Sequence, residues 1–426
     1  MFMSRLDDLI KSLCPDGVKF RKIKEVCTDI NTGLNPRKFF KVNTIDAENY
    51  YVTIREMVDG NIIFSDKTDK INDEAMMLCN NRSKLDENTV LFSGTGTIGR
   101  IVVLNEAPKN WNIKEGVYAL HPIITLIVPK YLGYVLQSSK IVSKYMNYVC
   151  GGTVKSIPMR DLKNVEIPVP PLEVQKEIVR LLDDFTAKTA ELQSELNKEF
   201  EARKKQYEHY EETLLNGNGA TKIRLGDICH IKARIGWQGL TRKEYLHKGD
   251  YYLITGTDFS NGQVDFKNCH YVNKERYDQD ANIQIQNNDV LVTKDGTLGK
   301  VAFVTGLDKP ATLNAGVFVV RPTVDNINPR YLYYLLASKH LMEFAKGRVT
   351  GGTIKHLNQS IIVDFPVPLL DFENQSEIVN MLDTVNALYN TLQSKISSEI
   401  ESRQKQYEFY RDKLLTFKEL NESEVN

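Results

Sequence analysis

The sequence lacks most of the features that mark a catalyst, a secreted protein or a membrane protein. Its six cysteines (Cys14, Cys27, Cys79, Cys150, Cys229 and Cys269) lie far apart. No CxxC occurs, so neither a disulfide framework nor a zinc site is indicated, and free thiols in a reducing compartment are expected. No apolar run approaches the roughly 18 residues of a membrane helix. The opening residues carry Asp7 and Asp8 and no apolar core of signal-peptide length. A cytoplasmic protein with no membrane partner is therefore expected. Net charge is missing as well: 55 basic residues face 55 acidic ones, so whole-chain charge names no partner. There is no Walker GK[ST] pattern, no NPPY-like motif, no acid pair and no Ser/His/Asp set. Seven histidines are scattered without ligand spacing. Cys229-His230 and Cys269-His270 cannot each turn both side chains toward one metal from a strand. Neither a catalytic centre nor a metal site is supported.

What remains is a chain of 426 residues with 42% hydrophobic and 26% charged content, an ordinary globular composition. That length suggests about three compact units. Shifted by 200 positions, the sequence matches itself. Gly96-Thr97-Ile98-Gly99-Arg100 falls on Gly296-Thr297-Leu298-Gly299-Lys300, and Gly151-Gly152-Thr153-Val154-Lys155 on Gly351-Gly352-Thr353-Ile354-Lys355. Residues 191–215 and 391–415 are identical at 13 of 25 positions. Stretches 28–90 and 230–290 hardly match. Each half is one variable segment followed by one repeated segment, so the period reflects domain duplication rather than a short-repeat solenoid.

The repeated C-terminal segments read as long helices. Ile178, Leu182, Phe185, Leu192, Leu196 and Phe200 step mostly by threes and fours, as do Ile378, Leu382, Val385, Leu392, Ile396 and Ile400. Glycine and proline are absent from 172–215 and 370–418. A stripe sustained that long suggests a coiled-coil seam, and forty-odd residues give a rod of roughly 60 Å. The two helices are expected to bury their stripes against each other, antiparallel. The variable segments read as mixed α/β, with strands around 90–92, 101–104, 290–292 and 301–304 and single short helices over Lys130–Met146 and Arg330–Ala345. The expected division is 1–170 and 219–369 for the globular domains, with helices in 171–218 and 370–420. Residues 28–160 hold 16 Lys/Arg against 13 Asp/Glu, and residues 230–360 hold 17 against 12, so neutrality conceals modestly basic globular segments.

Phe92-Ser93-Gly94-Thr95-Gly96-Thr97-Ile98-Gly99 contains both GxGxxG and FxGxG. Both cofactor patterns need a helix after the turn. A strand-like RIVVL follows instead, and the second copy loses the first glycine, so a tight turn between strands is expected and no cofactor on this chain. The Gly151–Lys155 and Gly351–Lys355 pairs read either as phosphate-contacting loops through backbone N–H groups and lysine or as plain turns. Thr32–Lys41 and Arg234–Lys243 are rich in the Arg, Lys, Asn and Gln that read purine edges in the major groove, or they are solvated loops.

Variable and repeated segments alternate twice, introduced by GGT-x-K and by Pro168-Val169-Pro170-Pro171 with Gln175, or Pro366-Val367-Pro368-Leu369 with Gln375. This resembles the DNA-specificity subunit of type I restriction–modification enzymes, over nearly the whole chain. The resemblance extends to Leu13-Cys14-Pro15-Asp16-Gly17-Val18 and to the run RIGWQGLTRKEYL from Arg234 to Leu246. It implies two target-recognition domains, one per half of a bipartite, asymmetric site in double-stranded DNA. It implies a helical spacer that docks two methyltransferase subunits, with S-adenosylmethionine on those partners. It leaves open whether a translocating restriction subunit, carrying ATP, joins them. The candidate DNA contacts are Arg37, Lys38 and Lys41 in the first domain. Arg234, Trp237, Gln238, Arg242 and Lys243 are the candidates in the second, with Lys155, Lys294 and Lys355 against phosphates. The rival readings are a self-contained adenine methyltransferase and a coiled-coil scaffold with two protein-binding domains.

Overall fold

The computed structural model describes residues 2–217, 219–235, 239–348 and 356–420, with side chains from Arg5 onward. The chain forms two compact units: Met1–Glu195 with Ser397–Asn426, and Leu196–Ile396. Each unit therefore takes part of both long helices, whereas the sequence reading set the helices apart as segments of their own.

The first unit is built on an antiparallel sheet in the order Cys27–Thr32, Val117–Pro122, Val90–Ser93, Ile101–Val103. Val90, Leu91 and Phe92 are fully buried, as expected for a central strand covered on both faces. The helix Pro129–Gln137 lies against it and buries Tyr131, Leu132, Val135 and Leu136 completely. A smaller sheet pairs Asn49–Val52 in parallel with Trp111–Ile113 and antiparallel with Lys70–Ile71.

The second unit repeats this frame. Cys229–Ala233, Val317–Pro322, Val290–Thr293 and Val301–Phe303 keep the same order and extend through Gln263–Val264 and Phe259–Ser260. Tyr251–Ile254 pairs in parallel with Ala311–Leu313. Even the stretches with little sequence likeness share local devices. The 3-10 turn Ile54–Glu56 is closed by Thr53 and Glu56, and Gly256–Asp258 by Thr255 and Asp258.

The single short helices expected at Lys130–Met146 and Arg330–Ala345 are each two. Pro129–Gln137 gives way to Ser139–Met146, and Pro329–Ala337 to Lys339–Ala345. Ser138 and Ser338 are extended at the break (ψ 141° and 170°). Each turns its hydroxyl back to a carbonyl of the preceding turn, Val135 O at 2.7 Å and Leu335 O at 2.8 Å.

The long helices span Leu172–Leu215 and Phe372–Leu414. In the first unit Phe185 packs on Tyr407 and Tyr410, with ring centroids 5.8 and 5.9 Å away. In the second, Tyr389 stacks on Phe200 and Tyr207 at 5.3 and 5.8 Å. Residue numbers rise along one helix as they fall along the other, so the pair is antiparallel, as expected.

Candidate functional site

Each unit presents exposed polar segments from the rim of its main sheet. In the first, the strand ending at Thr32 leads into Gly33. A Cβ there would lie 1.9 Å from Ile113 O, so the backbone passes where only glycine fits. The Tyr51 hydroxyl donates to Leu34 O, which pins the root of the segment. Asn35 Oδ1 then accepts from Arg37 N at 3.0 Å and starts the short helix Pro36–Phe39. Arg37, Lys38 and Lys41 project into solvent beside Phe39, which is 56% exposed.

The equivalent point of the second unit is Arg234, since Thr32 pairs with Tyr118 and Ala233 with Phe318. Arg234, expected at a nucleic-acid surface, is instead 1% exposed. Its Nε donates to Leu313 O at 2.8 Å, and its other nitrogens reach Thr312 Oγ1 (3.1 Å), Gln279 Oε1 (3.1 Å) and Arg276 O (3.3 Å). Burial, and secondarily Arg276, disfavour its charge. With four of its five N–H donors committed inside the fold and almost no exposed surface, this guanidinium anchors the chain.

Trp237, Gln238 and Lys355 lie outside the described residues. Arg242 and Lys243 are exposed on a 3-10 turn, Arg242–Glu244. Glu244 accepts from Thr241 N and Oγ1, both at 2.8 Å, and from Arg276 Nε at 2.8 Å. Hydrogen bonds from Thr241, then Arg276, hold its carboxyl down to about 2.

The glycine-rich segment is a turn between strands, Val90–Ser93 and Ile101–Val103, as expected. Gly96 and Gly99 have φ +75° and +90°, and Gly296 and Gly299 have +72° and +70°. Gly96 N donates to Lys155 O at 2.8 Å, so this turn and the Gly151–Lys155 loop are neighbours. Cys150 and Ser156 close that loop with two 2.8 Å backbone hydrogen bonds, leaving Lys155 exposed. Lys294 is half-buried, its ammonium 5.5 Å from the Phe318 ring centre. Arg100 turns inward to Ile54 O and Met57 O (2.8 and 3.0 Å), and Lys300 to Phe259 O (2.5 Å).

The repeat also holds clamps that residue-type reasoning passed over. Asp183 accepts from Tyr134 (2.6 Å) and Lys130 (2.8 Å), and Asp383 from Tyr334 and Arg330. Both clamps join a long helix to its globular sheet layer. Their signal was a 200-residue register shared by three polar positions. Among the described residues, no group of three His, Cys, Asp or Glu could hold a metal. No helix there is long and apolar enough to cross a membrane.

The family described as the type I restriction–modification DNA specificity domain matches residues 15–202 and again 218–402. The chain belongs to this family. The specificity subunit of the Escherichia coli EcoR124I/EcoR124II type I restriction enzyme is 32% identical over 262 residues, covering 60% of this chain and 63% of that one. A putative type I restriction enzyme specificity subunit of Haemophilus influenzae is 30% identical over 284 residues, covering 64% and 69%. The fold agrees with the crystal structure of the HsdS subunit of Thermoanaerobacter tengcongensis (TM-score 0.56, 17% identity, 95% and 97% covered). A chain from a structural study of type I restriction–modification complex assembly gives a TM-score of 0.67, at 17% identity and 95% and 98% coverage. The two family matches fall on the two halves of the duplication, so each compact unit carries its own specificity domain.

Proposed function

We propose that this chain is the non-catalytic subunit that reads a bipartite, asymmetric sequence in double-stranded DNA, one half-site per unit. The observation that carries the reading is one frame with two different tips. Arg37, Lys38 and Lys41 project from the first, and Arg242 and Lys243 from the second, while four strands beneath share their order and pairing register. Equivalent frames place readers at equivalent points, and unlike tips read unlike bases. Lys155 and Lys355 contact phosphates, and Trp237 and Gln238 belong to the second reading segment. The long helices act as the spacer that fixes the gap between half-sites, as half-site spacing follows geometry in dimeric repressors.

Two methyltransferase subunits dock on those helices, which keep large apolar side chains in solvent: Tyr210 at 61%, Leu388 at 65% and Phe409 at 64% exposure. S-adenosylmethionine is carried by those subunits, and ATP by a restriction subunit where one joins. The test is a methylome. This chain is expressed with its methyltransferase partner in a host lacking adenine methylation, and the genome is sequenced by a modification-sensitive method. A new motif of two short halves around a fixed gap is expected. A soluble complex that methylates no such motif would sink the reading.

A further inference from the structure

The duplication gives both units the same helical face but only one of them a cover. In the first unit, positions 174, 177, 178 and 181 line one side of the first long helix, at i, i+3, i+4 and i+7. Val174, Glu177 and Ile178 are buried there, and Leu181 is half-buried. The cover is the helix Phe2–Leu13. Its Leu6 joins the core with Val174, Ile178 and Leu182, Leu9 and Ile10 pack at the edge of that core, and Arg5 Nε lies 3.8 Å from Glu177.

In the second unit the same face carries Asn374, Glu377, Ile378 and Met381. Asn374 and Glu377 are exposed, and Met381 is 51% exposed. This face runs on into a groove of 810 Å³ lined by Met381, Val385 and Leu388 and, across it, by Tyr207, Tyr210 and Leu214. Among the described residues, no helix like Phe2–Leu13 lies between the first long helix, which ends at Leu215, and the strand Lys222–Arg224.

We infer that this groove seats one amphipathic helix of a partner protein, with the pattern the chain uses on its own first unit. That pattern is a cation followed by apolar residues at i, i+3 and i+4, as in Arg5, Leu6, Leu9 and Ile10. Glu377 stands where Glu177 meets Arg5, so the charge at the head of the seat is already in place. The inference rests on the reading of the long helices as docking surfaces and is independent of the bases read. The chain thus offers partners one open seat and one filled one. Two identical partners meet unequal surfaces, and the second unit is engaged first.

The probe is a labelled peptide of residues 2–13, stapled i to i+4 on its polar face. It is titrated by fluorescence anisotropy against the full chain, Met381→Glu and Leu6→Asp, the last of which releases the native helix. One site is expected on the full chain, weakened at least tenfold by Met381→Glu, and two sites on Leu6→Asp. Should Leu6→Asp not fold, the first two proteins decide. A site confined to Leu6→Asp, or binding indifferent to Met381→Glu, overturns the inference. Binding to none of the three also overturns it, because the native helix would then owe its place to its tether alone. A concentration-dependent dimer of the full chain, abolished by Met381→Glu in sedimentation, assigns the groove to a second copy instead. A bipartite methylated motif obtained while the peptide fails leaves the proposed function standing and removes only this inference.

Discussion

Gln175 and Gln375 make the same three side-chain hydrogen bonds two hundred positions apart. Gln175 Oε1 accepts from Val128 N (2.8 Å), and its Nε2 donates to Leu126 O (3.0 Å) and Pro170 O (2.7 Å). Gln375 does the same with Asn328 N (2.8 Å), Asn326 O (3.0 Å) and Leu370 O (2.8 Å). Both side chains are fully buried. Each ties the start of a long helix to the loop before the helix that packs on its sheet. The glutamine that helps mark the family in sequence is thus a joint between layers.

Breaking that joint leaves buried backbone groups without partners. Gln175→Ala is expected to destabilise the first unit by about 1–3 kcal/mol, read as a lower midpoint in thermal unfolding. The methylated motif should be unchanged, since the residue touches no solvent. A shifted motif with normal stability would refute the assignment.

Arg234 should behave as an anchor. Arg234→Met keeps most of the bulk but strips hydrogen bonds from Leu313 O and Thr312. A loss of about 1.5–3 kcal/mol is expected, in the range of hydrogen bonds to a charged group. Specificity should blur at the second half-site alone, in a selection from randomised DNA. Loss of a single base preference at full stability would mean that Arg234 reads DNA after all.

His121 and Arg321 occupy equivalent places and give the two units different responses to acid. Arg321 grips the buried Asp289 through two hydrogen bonds of 2.6 and 2.7 Å, whereas His121 faces Thr89 at 3.3 Å. Burial pushes the His121 imidazole below its usual 6.5, against the opposing pull of Asp86 and Asp29. The folded state therefore binds fewer protons than the unfolded one between the lowered value and 6.5, and stability falls as pH drops through that window. Unfolding of the first unit between about pH 7 and pH 5 should show this slope, and His121→Gln should flatten it. An equal slope in the variant would rule out His121 as the source.

Phosphate and base contacts are separable. Lys155→Ala should weaken all sequences alike and lower the salt slope by about one unit. Gln238→Ala should relax one base of the second half-site at about 1–3 kcal/mol. Filter binding at several salt concentrations distinguishes them. Equal effects on cognate and random DNA for Gln238→Ala would remove it from the readers.

The duplication, the antiparallel helices and the glycine turn were legible because each rests on a pattern in the chain itself: a shift of 200, a stripe of threes and fours, and paired glycines ahead of a strand. The repeated frame beneath residues 28–90 and 230–290 was hidden. Thr53-Glu56 and Thr255-Asp258 close the same turn with a glutamate in one and an aspartate in the other, and sit 202 positions apart rather than 200. The breaks at Ser138 and Ser338 were missed because an apolar period runs across them. Arg234 was misread because residue type carries no record of burial. A guanidinium looks alike in sequence whether it meets a base or four acceptors inside the fold.

Gly33 and Arg234 fill one seat with the smallest side chain and one of the longest, and that difference sets the rule for exchanging parts. A graft that carries the tip of one unit onto the other must bring its floor as well. Any residue but glycine at 33 collides with Ile113 O, and glycine at 234 leaves Leu313 O and Thr312 facing a hole. The transferable module therefore runs from the edge strand through the parallel strand at 111–113 or 311–313, and a shorter cassette imports a tip without its foundation.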